Sequence, residues 1–141
     1  MTFDTFRCPA NVARLDELVA FVEACADRFG LATKKKFGLL VALEEAFVNV
    51  CHYAYKEGEG DVSVGCGADG DAFVVEIADS GAAFDVLSLP DPDTTADLMD
   101  RQIGGLGVYF IRSLTDQVSY RREAGQNIVR MVFRQTEEPL Q

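Results

Sequence analysis

The sequence has 141 residues, of which 48% are hydrophobic and 26% charged, and at this size one domain can bury a core without disulfides. Thirteen basic residues against 23 acidic ones give a net charge of −10, which argues against direct binding to nucleic acid or to an anionic membrane. No apolar stretch approaches the ~20 residues that a membrane span needs, and no export signal is visible, so we expect a cytoplasmic protein. The four cysteines form no CxxC pair and are expected to be buried, reduced thiols.

The N-terminal part of the chain predicts one strand followed by two helices. Thr2–Cys8 alternates as an edge strand does. Asn11 is the predicted cap of a first amphipathic helix, whose apolar positions recur every three or four residues until Gly30 stops it. Thr33 is the predicted cap of a second helix, which runs until the glycines from Gly58 onward break its pattern.

The rest of the chain predicts two hairpins separated by a long loop and a third helix. In chain order these are strands Asp61–Gly65 and Ala72–Ala78, the loop Ser80–Ile103, the helix Gly104–Leu114, and strands Gln117–Arg121 and Ile128–Arg134. Helices grouped early and hairpins grouped late favour an α+β fold over a doubly wound one. We therefore expect a single domain over residues 1–141, a two-layer α/β sandwich with helices on one face of a mainly antiparallel mixed sheet.

The segment Gly65–Gly70 matches the dinucleotide fingerprint G-x-G-x-x-G letter for letter. That fingerprint needs a helix directly after it, because the helix N-terminus meets the pyrophosphate. Here the chain continues into the apolar strand Phe73–Ile77. The segment is therefore interpreted as a hairpin turn, and no P-loop motif occurs in the sequence.

Glu45 and Asn49 are four residues apart on the second helix and so lie on one face of it. A carboxylate and an amide at the border of the apolar stripe can be reached by a hard cation or by a reacting hydroxyl. Taken alone, such a pair is more often a solvated helix face. It becomes a candidate site only in combination with other signals.

Asp79 follows a strand whose inward residues by parity are Phe73, Val75 and Ile77. Asp79 shares that parity, and a carboxylate on a buried face is costly unless a donor meets it. The amino group of adenine would be such a donor, and Gly81 would let the backbone approach the ring. The alternative is an ordinary turn, since Asp-x-Gly is common in turns.

The glycine cluster Gly104-Gly105-Leu106-Gly107 opens directly into an apolar helix. Glycines at that place expose backbone N–H groups and the positive end of the helix dipole, which an acidic protein needs in order to bind an anion. Arg101, just upstream, would add a guanidinium fork toward a terminal phosphate. The alternative is a flexible helix entry without a ligand.

The order and spacing of these signals resemble the three nucleotide boxes of the GHKL ATPase superfamily: Glu-x-x-x-Asn, Asp-x-Gly and Gly-x-Gly. Within it the sequence is most similar to the anti-sigma factor serine kinases of the RsbW and SpoIIAB type. The resemblance covers nearly the whole chain. It implies a GHKL (Bergerat) fold, a histidine-kinase-like ATPase domain over residues 1–141, and a nucleotide lid at about residues 80–104.

The resemblance also implies a role for each box residue. Glu45, selected over its neighbour Glu44 by the box spacing, would orient or deprotonate the attacking serine hydroxyl. Asn49 would ligate Mg²⁺, Asp79 would bind the adenine amino group, and Gly81 would give the ring room. The remaining residues that the resemblance places at the ATP are Tyr53, Phe84, Arg101, Gly104, Leu106, and Gly105 and Gly107 with their phosphate-facing amides.

Two positions depart from the family pattern. Ala83 stands where many relatives have a second glycine, which predicts a stiffer hinge for the lid. Tyr53 holds the place of a histidine that is usual in the family, and the neighbouring His52 is offset from it by one position. We therefore assign His52 no catalytic role.

The function implied by the resemblance is that of an ATP- and Mg²⁺-dependent serine/threonine protein kinase. Such a protein is an anti-sigma factor that binds a sigma factor, phosphorylates a STAS-type antagonist and forms a homodimer. A non-catalytic nucleotide-dependent binding module is the alternative. The catalytic domain of a histidine kinase is disfavoured, because His52, the only histidine, lies inside the Glu-x-x-x-Asn helix. The identity of the sigma factor, the antagonist and the pathway stay open.

Overall fold

The computed structural model describes residues 2–55, 60–88 and 105–135, and these contain five strands and three helices. They are β1 (Asp4–Pro9), α1 (Leu15–Phe29), α2 (Thr33–Tyr53), β2 (Asp61–Asp69), β3 (Ala72–Asp79), α3 (Gly105–Leu114), β4 (Gln117–Glu123) and β5 (Gln126–Arg134). Single 3₁₀ turns cover Val12–Arg14 and Val86–Ser88. The predicted order and type of the elements, and the α+β class, are confirmed.

The strands form one sheet in the order β1-β2-β3-β5-β4. All pairings of the described strands are antiparallel, so the sheet is antiparallel and not mixed. β3 lies at the centre. In the row that crosses its C-terminal end, Val62 of β2 pairs with Asp79, and Asp79 pairs with Asn127 of β5. This row positions the candidate site.

The core lies between the helices and one face of the sheet. Phe73, Val75 and Ile77 of β3 are buried there, as their parity predicts, together with residues such as Phe47 of α2. α3 packs closely along α2, where a Cβ atom on Gly38 would lie 3.3 Å from the backbone oxygen of Leu114. The close approach of these two helices brings α3 over the face of α2 that carries the candidate residues.

The first helix ends at Gly30 as predicted, but Asn11 caps the 3₁₀ turn Val12–Arg14 that leads into it, and Arg14 holds the cap position of α1 itself. The side chain of Asn11 accepts a hydrogen bond from the backbone N of Ala13 at 2.9 Å, and Gly30 ends α1 with a φ of 86°. Thr33, predicted as the cap of α2, is instead its first residue, because Ala32 holds the cap position without a side-chain hydrogen bond. The backbone N of Ala32 donates to Oε1 of Gln135, so a long-range contact anchors this helix start.

The G-x-G-x-x-G segment is part of the hairpin, but its turn is shorter than predicted. β2 continues through Gly65 and Gly67 to Asp69, and only Gly70, with a φ of 62°, and Asp71 connect it to β3. The strand tolerates its glycines because the ring of Phe3 covers Gly65, where a Cβ would come within 3.2 Å of it.

Two further expectations concern cysteines and membranes. All four cysteines are free, three of them buried and Cys51 half-buried. Among the helices that the structure describes, none combines the length and apolarity needed to cross a bilayer. Of the predicted lid at residues 80–104, the described part is a turn followed by Val86–Ser88, and residues 89–104 lie outside the described chain.

Candidate functional site

Glu45 and Asn49 lie on the face of α2 that meets the first turn of α3. A Cβ atom on Gly107 would lie 2.6 Å from Oε2 of Glu45 and 3.3 Å from Nδ2 of Asn49. Any residue larger than glycine at this position would therefore displace the Glu45 carboxylate. The Glu-x-x-x-Asn box and the Gly-x-Gly box, far apart in sequence, thus meet in space. The N-terminal turn of α3 lies against the carboxylate of Glu45 and the amide of Asn49.

The Asn49 side chain is buried with one polar atom lacking a partner. Only 2% of the residue is exposed, and its Nδ2 donates to the backbone oxygen of Glu45 at 2.8 Å. Its Oδ1 is buried without any hydrogen-bond partner among the described residues. A buried acceptor without a donor costs about 1–3 kcal/mol, so native structures rarely leave one unexplained. The atom has the properties of an acceptor that is satisfied by a ligand.

An amide oxygen fits Mg²⁺, which prefers oxygen ligands and is commonly held by one or two protein groups plus substrate phosphates and water. Within residues 2–55, 60–88 and 105–135, no group of three or more His, Cys, Asp or Glu side chains is placed to hold a metal. The described residues are thus compatible with an Mg²⁺ ion held through Oδ1 of Asn49 and the phosphates of a nucleotide.

The Glu45 carboxyl group is a weaker acid than an ordinary glutamate. Partial burial, followed by the charge of Glu44, raises the pKa of Glu45 above its usual value, because both effects disfavour the ionised form. A carboxylate with a raised pKa is a better proton acceptor at neutral pH. The predicted role of Glu45 as the proton acceptor stays a prediction.

Asp79 is buried at the C-terminal end of β3, as its strand parity predicts, with 4% of its surface exposed. Its Oδ1 accepts hydrogen bonds from the backbone N of Gly81 at 3.0 Å and from Nδ2 of Asn127 at 2.9 Å. The side chain lines a mostly apolar cavity. The cavity is bordered by Ala46, Asn49, Val50, Ile77, Asp79, Phe84, Val86, Asn127 and Val129. Apolar walls with a few fixed polar groups are typical of small-molecule sites.

Position 81 has to be glycine because the backbone there lies against the end of α2. A Cβ on Gly81 would lie 2.3 Å from the backbone oxygen of Ala54, and the backbone N of Ala82 donates to that same oxygen at 3.1 Å. The turn after β3 therefore packs directly on the last turn of α2. The predicted role of Gly81 in giving room to a purine ring stays a prediction beside this structural one.

Phe84 and Tyr53 form a stacked aromatic pair beside the cavity. Their ring centroids are 4.9 Å apart with an angle of 20° between the planes. Phe84 lines the cavity and Tyr53 supports it from the end of α2. His52 is exposed and meets Tyr53 edge-on, which agrees with its having no assigned role.

The other predicted site residues lie in or before α3. Gly105 and Leu106 form the start of that helix. Arg101 and Gly104 lie outside the described residues, so their predicted roles stay predictions. Asn49 connects the two parts of the site, because it lines the cavity with Asp79 and lies against Gly107 with Glu45.

A family model described as a histidine kinase-like ATPase domain matches residues 8–133 of this chain. The chain belongs to that family. The resemblance to the GHKL ATPases is therefore confirmed, while the roles of the individual box residues stay predictions.

Two serine-protein kinases are similar in sequence to nearly the whole chain. The serine-protein kinase RsbW of Bacillus cereus (strain G9842) is 28% identical over 136 residues, covering 94% of this chain and 85% of that protein. The serine-protein kinase RsbW of Bacillus mycoides (strain KBAB4) is 26% identical over the same length. These relatives support the predicted enzyme class, a protein kinase, and the predicted similarity to RsbW-type kinases.

One solved structure shows the same fold. In the crystal structure of the RsbU and RsbW domains of a Mycobacterium tuberculosis protein, a chain with 15% identity superposes with a TM-score of 0.62 over 93% of this chain. This chain spans 32% of that longer one. At this identity the comparison concerns the fold alone, and it confirms the two-layer architecture.

The sequence-based prediction missed Asn127, which the structure places at the cavity with 3% of its surface exposed. A signal was present, because Asn127 shares the parity of Val129, Met131 and Phe133, the buried residues of β5. A polar residue that continues a buried face needs a partner. The same reasoning that identified Asp79 would have identified Asn127.

Proposed function

We propose that this protein is an ATP-dependent serine/threonine protein kinase and anti-sigma factor, which phosphorylates a STAS-type antagonist and controls transcription by partner switching. The observation that carries the proposal is the meeting of Glu45, Asn49 and Gly107, with the Oδ1 atom of Asn49 buried and without a partner among the described residues. A buried acceptor without a partner beside a carboxylate of raised pKa is uncommon on a purely structural helix face and favours a binding site.

The ligand follows from the chemistry of the two parts of the site. The apolar cavity with the Asp79 carboxylate suits a base that carries an amino group. The start of α3 suits phosphates, because its N–H groups and dipole offer positive potential in a chain of net charge −10. When bound through Oδ1 of Asn49, Mg²⁺ would neutralise phosphate charge.

The transfer step needs one proton acceptor. The serine oxygen of the protein substrate forms a bond to the γ-phosphorus of ATP, the bond from that phosphorus to the β,γ-bridging oxygen breaks, and ADP leaves. The hydroxyl proton passes to the carboxylate of Glu45, which its raised pKa favours. The remaining contribution of the protein is to position the reacting groups.

The partners are inferred from the family. The relatives are serine-protein kinases by name, and the acidic surface of this chain favours a protein over a nucleic acid as the binding partner. A sigma factor, a STAS-domain antagonist and a homodimeric state are therefore part of the proposal.

The experiment is a transfer assay with Mg-[γ-³²P]ATP and purified STAS-domain proteins from the same organism as candidate substrates. Wild-type protein is expected to label a serine of one of these substrates, and Glu45→Gln to reduce the rate by about 100-fold or more, as loss of a general base does. Glu44→Gln is the matched control, because it removes the neighbouring exposed carboxylate, and it is expected to retain most of the activity.

Two results would count against the proposal. Tight ATP binding by calorimetry without any labelling would indicate a nucleotide-dependent binding module in place of a kinase. Absence of ATP binding by the wild type would reject both functions and leave a structural domain.

A further inference from the structure

Asn127 holds the candidate base-binding residues together through its amide group. It lies at the start of β5 directly opposite Asp79, and it is nearly fully buried. Its Nδ2 donates to Oδ1 of Asp79 at 2.9 Å and to the backbone oxygen of Ala82 at 2.8 Å. An amide nitrogen has two protons to donate, and both are used here.

The oxygen of the same amide is also fully engaged. Oδ1 accepts from the backbone N of Phe84 at 3.1 Å, from the hydroxyl of Tyr120 at 2.7 Å and from Nη1 of Arg122 at 3.1 Å. Turning the amide over would set its oxygen against the Asp79 carboxylate and the Ala82 carbonyl. The partners therefore determine a single orientation of the Asn127 side chain.

This orientation decides which atom of Asp79 is available to a ligand. Oδ1 of Asp79 takes its hydrogen bonds from Gly81 and Asn127. No donor among the described residues is within hydrogen-bond distance of Oδ2, although Asp79 lines the cavity. A carboxylate oxygen only accepts hydrogen bonds. The Asp79 carboxylate thus offers the cavity an acceptor at a defined place, with the Phe84 ring held on its wall.

We propose that Asn127 is a positioning residue for base recognition, which aims Oδ2 of Asp79 at the amino group of a 6-aminopurine nucleotide. The proposal rests on the proposed function, since it requires a purine nucleotide in this cavity. Asn127 itself does not need to touch the base. It acts by holding Asp79 and Phe84, and Tyr120 and Arg122 of β4 hold it in turn.

A merely structural role for Asn127 is the competing explanation, because the same hydrogen bonds connect β3, β5 and the turn at residues 82–84. The two roles differ in what they predict for the amino group of the base. If Asn127 acts through Asp79, its loss weakens the binding of a nucleotide that has the amino group more than the binding of one that lacks it. If it only stabilises the fold, both nucleotides lose affinity equally.

The test is calorimetry with two ligands, Mg-ATP and the Mg complex of purine riboside 5′-triphosphate, which lacks only the 6-amino group. Wild-type protein is expected to bind ATP about 10-fold more tightly, the value of one charge-assisted hydrogen bond. Asn127→Asp places a second carboxylate against Asp79, and is expected to remove this preference, because the affinity for ATP falls about 10-fold more than the affinity for the purine analogue.

Asn127→Ser is the second variant, because it removes the contact with Asp79 without adding a charge, and thermal unfolding of both variants reports whether the fold is kept. Tyr120→Phe is the matched control, since it deletes one bond to Oδ1 and leaves the bond from Nδ2 to Asp79. It is expected to keep most of the preference for ATP.

The possible failures are distinguishable. Equal loss of affinity for both nucleotides in a folded Asn127 variant would overturn this inference and leave the proposed function in place. A wild-type protein that binds ATP and the purine analogue equally would also overturn this inference without rejecting the proposed function. A wild type that binds neither would reject the proposed function itself.

Discussion

The two ends of the candidate site differ in how their polar groups are satisfied. At the base end, Asp79 and Asn127 are buried and hydrogen-bonded to each other and to their surroundings. At the phosphate end, Oδ1 of Asn49 is buried without a partner among the described residues, and burial raises the pKa of Glu45. At the proposed base end, Oδ1 of Asp79 and the amide of Asn127 are therefore hydrogen-bonded without a ligand, whereas the proposed phosphate end carries costs that a ligand can relieve.

The difference has a structural origin. The base end is built by adjacent strands and a turn, whose hydrogen bonds allow little adjustment. The phosphate end is built where α2 and α3 meet at a glycine, with the carboxylate of a long side chain at the contact. We infer that the orientation of Asp79 is set before a ligand binds, while the position of the Glu45 carboxylate depends on the helix contact.

The largest effect is expected from Gly107→Ala, which adds a methyl group at the contact between α2 and α3. The added Cβ would lie 2.6 Å from Oε2 of Glu45, and the flexible Glu45 side chain gives way more easily than the backbone. Phosphoryl transfer is expected to fall by about 100-fold, while stability is kept or rises, because alanine favours a helix over glycine by about 1 kcal/mol. Transfer assays and thermal unfolding would measure the two effects separately.

Ser113→Ala, an exposed substitution on the same helix, is the control for Gly107→Ala and is expected to change neither quantity. A Gly107→Ala protein with wild-type transfer rates would show that the Glu45 position at this contact is unimportant.

Asn49→Leu is expected to separate stability from binding. It removes the buried acceptor that has no partner among the described residues, together with one hydrogen bond to the Glu45 backbone. Because an unsatisfied buried acceptor costs about 1–3 kcal/mol and a typical hydrogen bond contributes about 1 kcal/mol, the free energy of unfolding without ligand should rise by about 1 kcal/mol. Mg²⁺-dependent ATP binding should be lost.

Denaturant unfolding and calorimetry with and without Mg²⁺ would test this variant. An Asn49→Leu protein that is clearly less stable than the wild type would mean that Oδ1 is satisfied in the free protein. In that event the contrast between the two ends of the site would not hold.

The smallest expected effect concerns how stability depends on pH. Ionisation of Glu45 should destabilise the fold, whereas ionisation of Glu76 should stabilise it. The pKa of Glu45 is raised in the folded protein, so its ionisation destabilises the fold as pH rises through that pKa. Glu45→Gln should therefore be more stable than the wild type at pH 7, and the difference should shrink as pH falls through the raised pKa and be absent below the usual pKa of a glutamate.

Glu76 provides the matched control on the other face of the sheet. Burial opposes the shift, but hydrogen bonds from Arg121 and Arg130 lower the pKa of Glu76 overall. Glu76→Gln should be less stable than the wild type at pH 7, and the difference should vanish as pH falls through the lowered pKa. Melting temperatures over pH 3–8 would compare both variants with the wild type. If both variants were stabilised, or both destabilised, at pH 7, the opposite pKa shifts of Glu45 and Glu76 would be contradicted.

Much of the fold followed from local patterns in the sequence. Periodicity and turn residues predicted the order of strands and helices, and Gly30 predicted the end of the first helix, whereas Asn11 caps the short 3₁₀ turn before it. The errors came from long-range contacts. Thr33 does not cap α2 because Ala32 is anchored by Gln135, and the hairpin turn after β2 is short because the glycines before it stay in the strand.

The sequence alone determined the types of the elements, the burial of Asp79 and the order of the three boxes, because these depend on neighbours along the chain. Only the tertiary structure decided that Asn127 holds Asp79 across a separation of 48 residues, that Gly107 lies on Glu45, and that Oδ1 of Asn49 is left without a partner among the described residues. Strand register and helix packing create these contacts, and neither is encoded in the spacing of adjacent residues.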